Sequence, residues 1–563
     1  VDACLAGLSV VTLAAGCMIV QPLDDYPTEA ANSGGGGTTG AGGSDVGGSS
    51  SSAGKGGKQS VAGAFGACET NADCMPGSGS EPYMCSMVTH QCTKLKTEVC
   101  PVADGNIFDP NAIVVGAFAP LTSTNAERNP VVAAHHLALQ ELGGDGMGGL
   151  PDGVGGVRRP LVVVTCYNQD DRIDDALDHL IGTLQVPAIL ATLKPGDLRR
   201  AYEGHRDDDV FFLSPGPVSA SVAALDDDDK VWNLLGQPSD YAPTYAALLL
   251  QTEKHLRKTR VPKLLPDAQL KVAVVTTPDA FDAELANKVT PLLSFNQGKS
   301  VKQNGDNYMI RSFESTDPED IAPVIDELIY FRPDIIVSAA SDVMTMQDGV
   351  IEQVEARWGL PQDDHALPTF ILSPFNAGDL TRIRIYIATS VEETKELSQH
   401  ERYLGVGIAG PEDNSAEFEY QSRLGALFGN VFNDTANYYD ATYLLAYAIY
   451  GAGIEEPLTG SSIARGMQRL LSGPRLAIGP NDILATFDAL RAPGGTVEIL
   501  STLGPPSFDP QTGVRQIDGN VYCFNREGKE VTVTVDSYRF DRTLNELRKS
   551  ERGDPFCIEN FFE

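Results

Sequence analysis

The residues of this chain with the greatest chemical potential are its cysteines and its clustered aspartates. Cys68, Cys74, Cys85 and Cys92 share one short segment rich in Gly, Pro and Asn. Two chemistries suit such a cluster: zinc binding or disulfide pairing. No two of these cysteines have the two-residue spacing of a zinc hook, and His90 is the one histidine among them. A two-disulfide knot is therefore expected, because a segment without a long hydrophobic run needs covalent staples. Cys100, Cys166, Cys523 and Cys557 are scattered and also even in number. Cys523 with Cys557 is one candidate pair, but sequence leaves the connectivity open. The acidic runs Asp207–Asp209 and Asp226–Asp229 offer oxygens suited to calcium. They lack the spaced ligands and turn glycine of a calcium loop, so solvated loops are expected.

Catalytic motifs do not emerge. The chain has no G-x-S-x-G elbow, no H-E-x-x-H pair and no P-loop. Gly143–Gly156 is Gly-rich but lies between a predicted helix and a strand, whereas a phosphate cradle lies between a strand and a helix. His135 and His136 fall in one predicted helix, where neighbours point about 100° apart and cannot chelate together. A binding protein without cofactor or metal is expected, rather than an enzyme.

The elements that must position any site follow from periodicity. Apolar runs rich in Val and Ile occur at Ala112–Ala119, Leu161–Cys166, Ala188–Thr192, Val210–Ser214, Leu270–Thr277, Asp334–Ala339, Thr369–Ser373 and Leu404–Ala409. Helical-period segments alternate with them, at Val131–Leu142, Ile173–Leu184, Tyr241–Leu256, Ala280–Leu293, Pro318–Tyr330, Val343–Trp358, Ala416–Leu427 and Ala436–Tyr450. Continuous apolar strands alternating with helices predict parallel sheets covered on both faces, in a doubly wound α/β architecture. With 563 residues the chain is too long for one core. The strand-end turns open helices with caps: Asn129-Pro130, Lys194-Pro195-Gly196-Asp197, Thr277-Pro278 and Ser341-Asp342. Ligands of such folds bind beyond the carboxyl ends of the strands, so these turns mark the expected site.

Several motifs carry a family resemblance. Val114-Val115-Gly116-Ala117-Phe118-Ala119-Pro120-Leu121-Thr122 resembles the first strand and Pro-Leu-Thr loop of the type I periplasmic binding proteins, especially the branched-chain amino-acid-binding group. Phe212-Leu213-Ser214-Pro215-Gly216 resembles that family's fourth strand, and Tyr439-Asp440-Ala441 its Tyr-Asp-Ala helix. Ser507-Phe508-Asp509-Pro510-Gln511-Thr512-Gly513 with Gly519-Asn520-Val521-Tyr522 resembles its closing hairpin. The resemblance implies two lobes joined by three crossovers, near Gly236, Leu404 and Ile499, with a small molecule held between them. It implies cleft roles for Thr122, Ser123, Lys194, Ser214, Ser219 and Tyr439, with Asp342 as partner for an ammonium group. The loops depart from the amino-acid binders. The third-strand loop reads Ala191-Thr192-Leu193-Lys194-Pro195-Gly196, without the usual Gly and serines. Thr276-Thr277-Pro278-Asp279 lacks the usual Asp and Tyr-Gly pair. No amino acid is certified as ligand.

The N-terminal region reads as an export leader. Ala3–Val20 is a short apolar stretch, and Leu13-Ala14-Ala15-Gly16-Cys17 resembles a bacterial lipobox, which would make Cys17 the lipid-bearing residue. No basic residue precedes the stretch. A transmembrane anchor fits less well, because the stretch is short and crowded with small residues at its end. The expected division is a signal segment over 1–20, a Gly/Ser-rich flexible tether over 21–66 and a Cys-rich module over 67–100. One lobe follows over 101–240 and 402–498, the other over 241–401 and 499–537, then a C-terminal extension over 538–563. The net charge of −34 argues against nucleic acid as a partner. The sum predicts an exported solute-binding lipoprotein, anchored by its lipid, with an ABC-type permease or a sensor as partner. A ligand-sensing or surface-interaction protein without transport is the alternative.

Overall fold

The computed structural model describes residues 67–74, 81–86, 88–122, 126–144, 148–151, 158–169, 171–259, 267–358, 366–374, 380–394, 399–410, 415–429, 435–453, 458–527, 530–551, 556–558 and 561–562. Cys17, the apolar leader, the Gly/Ser tract and Ser123 lie outside these residues.

Two sheets organise the body. The first has six strands in the order Val231–Asn233, Phe211–Ser214, Ala188–Leu190, Ile113–Ala119, Leu161–Tyr167 and Val102–Gly105. All neighbours are parallel except the last pair. Ile113–Ala119 and Leu161–Tyr167 are buried at every position, as central strands sandwiched between helices must be. Successive residues feed opposite cores. Val115 and Val163 pack with the Ala436–Ala452 helix, whereas Val114, Val162 and Val164 pack with Leu180, Leu198 and Tyr202. The Ala436–Ala452 helix is apolar nearly all round because it is itself enclosed.

The second sheet has eight strands in the order Tyr308–Ser312, Val272–Thr276, Ile335–Ser338, Thr369–Leu372, Tyr403–Ile408, Gly519–Glu527, Glu530–Asp541 and Glu546–Lys549. The first five are parallel, and the last three run antiparallel. This is an α/β architecture built on two sheets.

The chain passes between the two sheets three times. The first falls at Gly236, whose φ is +68° and whose missing Cβ leaves room for Ile517 and Asp240. Leu404 lies inside a strand of the second sheet, and the chain leaves that sheet only after Ile408, where Ala409 N–H bonds Asp518. Ile499 remains in the first core, and the last crossing runs through Val514–Asp518 into the Gly519 strand. Periodicity reveals a strand but not the sheet it joins, so it does not place these crossings. The predicted tail boundary at 538 also falls within one continuous strand, Glu530–Asp541. The helix expected over Val343–Trp358 is two helices, Asp342–Thr345 and Val350–Arg357. Asp348 between them takes a positive φ of 56°, which interrupts helical geometry.

Among the described residues four disulfides staple the chain. Cys68–Cys85 and Cys74–Cys92 close the Cys-rich segment around the hairpin Tyr83–Ser86/Gln91–Lys94. The sulfurs of Cys68, Cys74 and Cys85 lie within metal-ligating reach of one another, but each is spent in a disulfide. Cys100–Cys166 ties the following segment to the first sheet, and Cys523–Cys557 ties the tail to the second. Among the described residues no helix is long and apolar enough to cross a membrane.

Candidate functional site

The loops at the carboxyl ends of the first sheet are fixed by their own side chains. Asn129 Oδ1 accepts from Val131 N–H at 2.9 Å and so caps the Pro130–Gly143 helix. Its Nδ2 donates to the Pro120 carbonyl at 2.9 Å. Gln169 holds Leu121 and Asn168 holds Thr192 in the same way. Thr122 is exposed on this rim. Lys194 precedes the Pro195–Gly204 helix with its side chain exposed. Ser214 is buried and accepts from Gly216 N–H at 3.3 Å. Ser219, also buried, shares a 2.8 Å hydrogen bond with Ser221.

The second sheet presents a different chemistry. Asp279 caps the Ala280–Val289 helix through Phe281 N–H at 2.9 Å. One helical turn on, Asp282 is fully buried. Its Oδ2 accepts from Thr277 Oγ1 at 2.7 Å, from Ser341 N–H at 3.0 Å and from Ser341 Oγ at 3.2 Å. Its Oδ1 is buried with no hydrogen-bond partner among the described residues. Burial pushes this carboxyl up to about 7, reinforced by Asp279, against the pull of the Thr277 and Ser341 hydrogen bonds.

The two rims meet. Glu284, two residues beyond Asp282, accepts from Ala220 N–H of the first lobe at 2.6 Å, beside Ser219. The Ala280–Val289 helix thus faces the loop after the fourth strand of the first sheet. A carboxylate thus occupies the first backbone N–H of the Ala220–Ala223 helix.

The structure sorts the predicted site residues. Ser214 and Ser219 sit at the loop that Glu284 approaches, and Thr122 and Lys194 line the same rim of the first sheet. Asp342 opens the short Asp342–Thr345 helix. Asp282 is held in the strand-end network of the second sheet through Ser341. Tyr439 has partners of its own. Its hydroxyl donates to Glu141 at 2.5 Å and accepts from Arg423 at 3.0 Å, and Tyr443 donates to Glu141 at 2.6 Å. Tyr439 is fully buried in this ionic cluster, two residues after Asn437, whose Nδ2 donates to the Pro215 carbonyl at 2.9 Å. Tyrosine in an enclosed helix seeks a partner for its hydroxyl, and Glu141 at the far end of the first helix supplies it.

Asp282 was missed, though a signal exists. It stands at i, i+3, i+4 and i+7 with Leu285, Ala286 and Val289, which are all buried. A charged residue in the apolar stripe of a helix, next to a strand-end turn, is the mark of a buried acid with a task.

Comparisons with known proteins agree with the architecture. A solute-binding protein of an ABC transporter from Rhodopseudomonas palustris, solved with 3,4-dihydroxybenzoic acid, is 13% identical with a TM-score of 0.51, covering 78% of this chain and 98% of that one. A leucine-binding protein from Thermotoga maritima is 14% identical with a TM-score of 0.50, covering 75% of this chain and 98% of its own. At such identities the likeness establishes the fold, that of type I periplasmic binding proteins, and leaves the ligand to the site. No protein-family model matches the sequence, and no curated protein does.

Proposed function

We propose that this chain is an extracytoplasmic solute-binding lipoprotein, anchored through Cys17, that takes an amino acid or similar polar solute between its lobes for uptake through an ABC-type permease. The observation that carries this reading is Asp282. A fully buried carboxylate whose Oδ1 lacks a partner costs about 1–3 kcal/mol or more unless something completes it. It stands beside the rim where the fold places ligands, opposite the hydroxyl-bearing loop of Ser214 and Ser219. A cationic group such as an ammonium completes such a carboxylate through charge-assisted hydrogen bonds. The anionic end of the same solute would take the Ala220 N–H in place of Glu284.

A thermal-shift and calorimetric panel of L-amino acids, short amides, benzoate and 3,4-dihydroxybenzoate tests this. Stabilisation by a class bearing an amino group is expected. Asp282→Asn should weaken that class at least tenfold, about 1.4 kcal/mol. Silence across the whole panel would sink the proposal.

The second reading, a ligand-sensing or surface-interaction protein without transport, draws on Glu284. Its carboxylate bridges the lobes where a ligand anion would bind. If wild type ignores the panel while Glu284→Gln responds to it, the bridge is a plug and the second reading prevails.

A further inference from the structure

A cavity of about 380 Å³ opens where the crossings meet the C-terminal hairpin, and its lining includes none of Ser214, Ser219, Asp282 and Glu284. Its walls come from the second crossing at Ala409 and Gly410, the third at Arg515–Asp518, and the C-terminal hairpin around Arg539–Thr543 and Arg548. Four guanidinium groups line it, those of Arg515, Arg539, Arg542 and Arg548, against the carboxylates of Asp518 and Asp541. In a chain whose net charge is −34, this is a local reversal of sign.

The four arginines are not equivalent. Arg542 is committed to Asp518 at 2.5 Å and to Asp240 at 2.9 Å. Arg548 pairs with Asp541 at 3.3 Å, at the lip. Arg539 is buried. Arg515 is only 2% exposed, and its guanidinium donates to two neutral oxygens, Ser501 Oγ at 3.2 Å and the Pro505 carbonyl at 2.9 Å. Among the described residues no carboxylate is in ion-pair contact with it. Asp440 compensates it only at longer range, while its own oxygens are engaged by Thr502 and Leu503. Burial lowers the Arg515 guanidinium to about 10, a measure of how poorly its charge is solvated. A buried cation without a contacting anion is costly, and an anion from solution offsets that cost.

We infer that this cavity is a binding site for a small multivalent oxyanion, of polycarboxylate or phosphate type, clasped by Arg515, Arg539 and Arg548. Planar guanidinium forks match the geometry of carboxylate and phosphate oxygens. The occupant would tie the C-terminal hairpin to two of the three crossings.

Titration calorimetry of the full chain with citrate, inorganic phosphate and sulfate, at ionic strength held constant with potassium chloride, tests the site. One-to-one binding of citrate or phosphate is expected, and which of them binds assigns the anion type. Arg548→Gln, at the exposed lip, should keep the unfolding midpoint in anion-free buffer and weaken binding at least tenfold. Arg515→Met should abolish binding, and if that buried variant fails to fold, the Arg548→Gln result decides. Asp282→Asn should bind the anion like wild type, which separates this site from the strand-end site. No heat with any of the three anions, or equal affinity in wild type and Arg548→Gln, would overturn the inference.

Discussion

Asp440 in the first lobe and Asp282 in the second are both fully buried carboxylates, yet they are built differently. Asp440 is saturated: Thr502 N–H at 3.1 Å, Thr502 Oγ1 at 2.9 Å and Leu503 N–H at 3.2 Å surround it, with Arg515 beyond. Asp282 has one oxygen held by three donors and the other without any. Burial raises the pKa of both, so each holds its proton more tightly than an exposed carboxyl does. A carboxylate whose oxygens are all engaged fixes a fold; one with an oxygen in reserve stands ready for something the chain does not supply. The first lobe has spent its acid on the segment leading to the last crossing, while the second holds its acid at the strand ends.

The largest effect that could break this contrast is Asp440→Ala. It strands three donors and removes the compensation for Arg515. Loss of about 3–5 kcal/mol is expected from urea unfolding midpoints. A loss below about 1 kcal/mol would mean that Asp440 is no more structural than its counterpart.

The pH dependence of stability comes next. The Asp282 carboxyl rises from 3.8 to about 7 on folding. Between those values the folded chain keeps a proton that the unfolded chain has released. Its contribution is therefore complete below about pH 4 and is lost as pH rises through about 7, by up to about 4 kcal/mol. Asp282→Asn should flatten that slope, so the stability difference between the variant and wild type should change steadily across pH 4 to 7. Parallel curves for the two proteins would remove Asp282 from the comparison.

Glu284→Gln sharpens the contrast between the rims. It keeps an acceptor for Ala220 N–H but removes the charge, and should cost about 0.5–1.5 kcal/mol without ligand. Lys194→Ala should be the mildest, within about 0.5 kcal/mol in stability, because its side chain is exposed. If Lys194→Ala nevertheless weakens an anionic ligand several-fold in calorimetry, the first rim contributes charge as well as hydroxyls.

Much of the fold was legible. Each of the eight predicted apolar runs overlaps a strand of the two sheets. The strands that escaped are instructive. Val231–Asn233 is three residues long and follows an aspartate run, so no period can be read there. Tyr308–Ser312 is an edge strand with Ile310 and Arg311 exposed, so its pattern is half polar. The site was legible less completely. Ser214 and Ser219 follow from the turn after a buried strand, whereas Tyr439 follows from a motif and bonds Glu141 and Arg423 in the structure. Asp282 lies in the first turn of its helix, where an acid is unremarkable because it complements the helix dipole.

The sequence by itself determined the alternation of strand and helix, and with it the α/β class and the rim where loops gather, because those depend on periodicities of two and 3.6 along the chain. Tertiary structure alone decided which sheet each strand joins, where the chain crosses between lobes, and which acid has an unpartnered oxygen. Those outcomes depend on residues far apart in sequence: Ser341 closing on Asp282, Glu284 reaching Ala220, and Arg515 meeting the hairpin at Arg539 and Arg548. No local period encodes such meetings, because they arise only when two lobes and a returning hairpin fill one space.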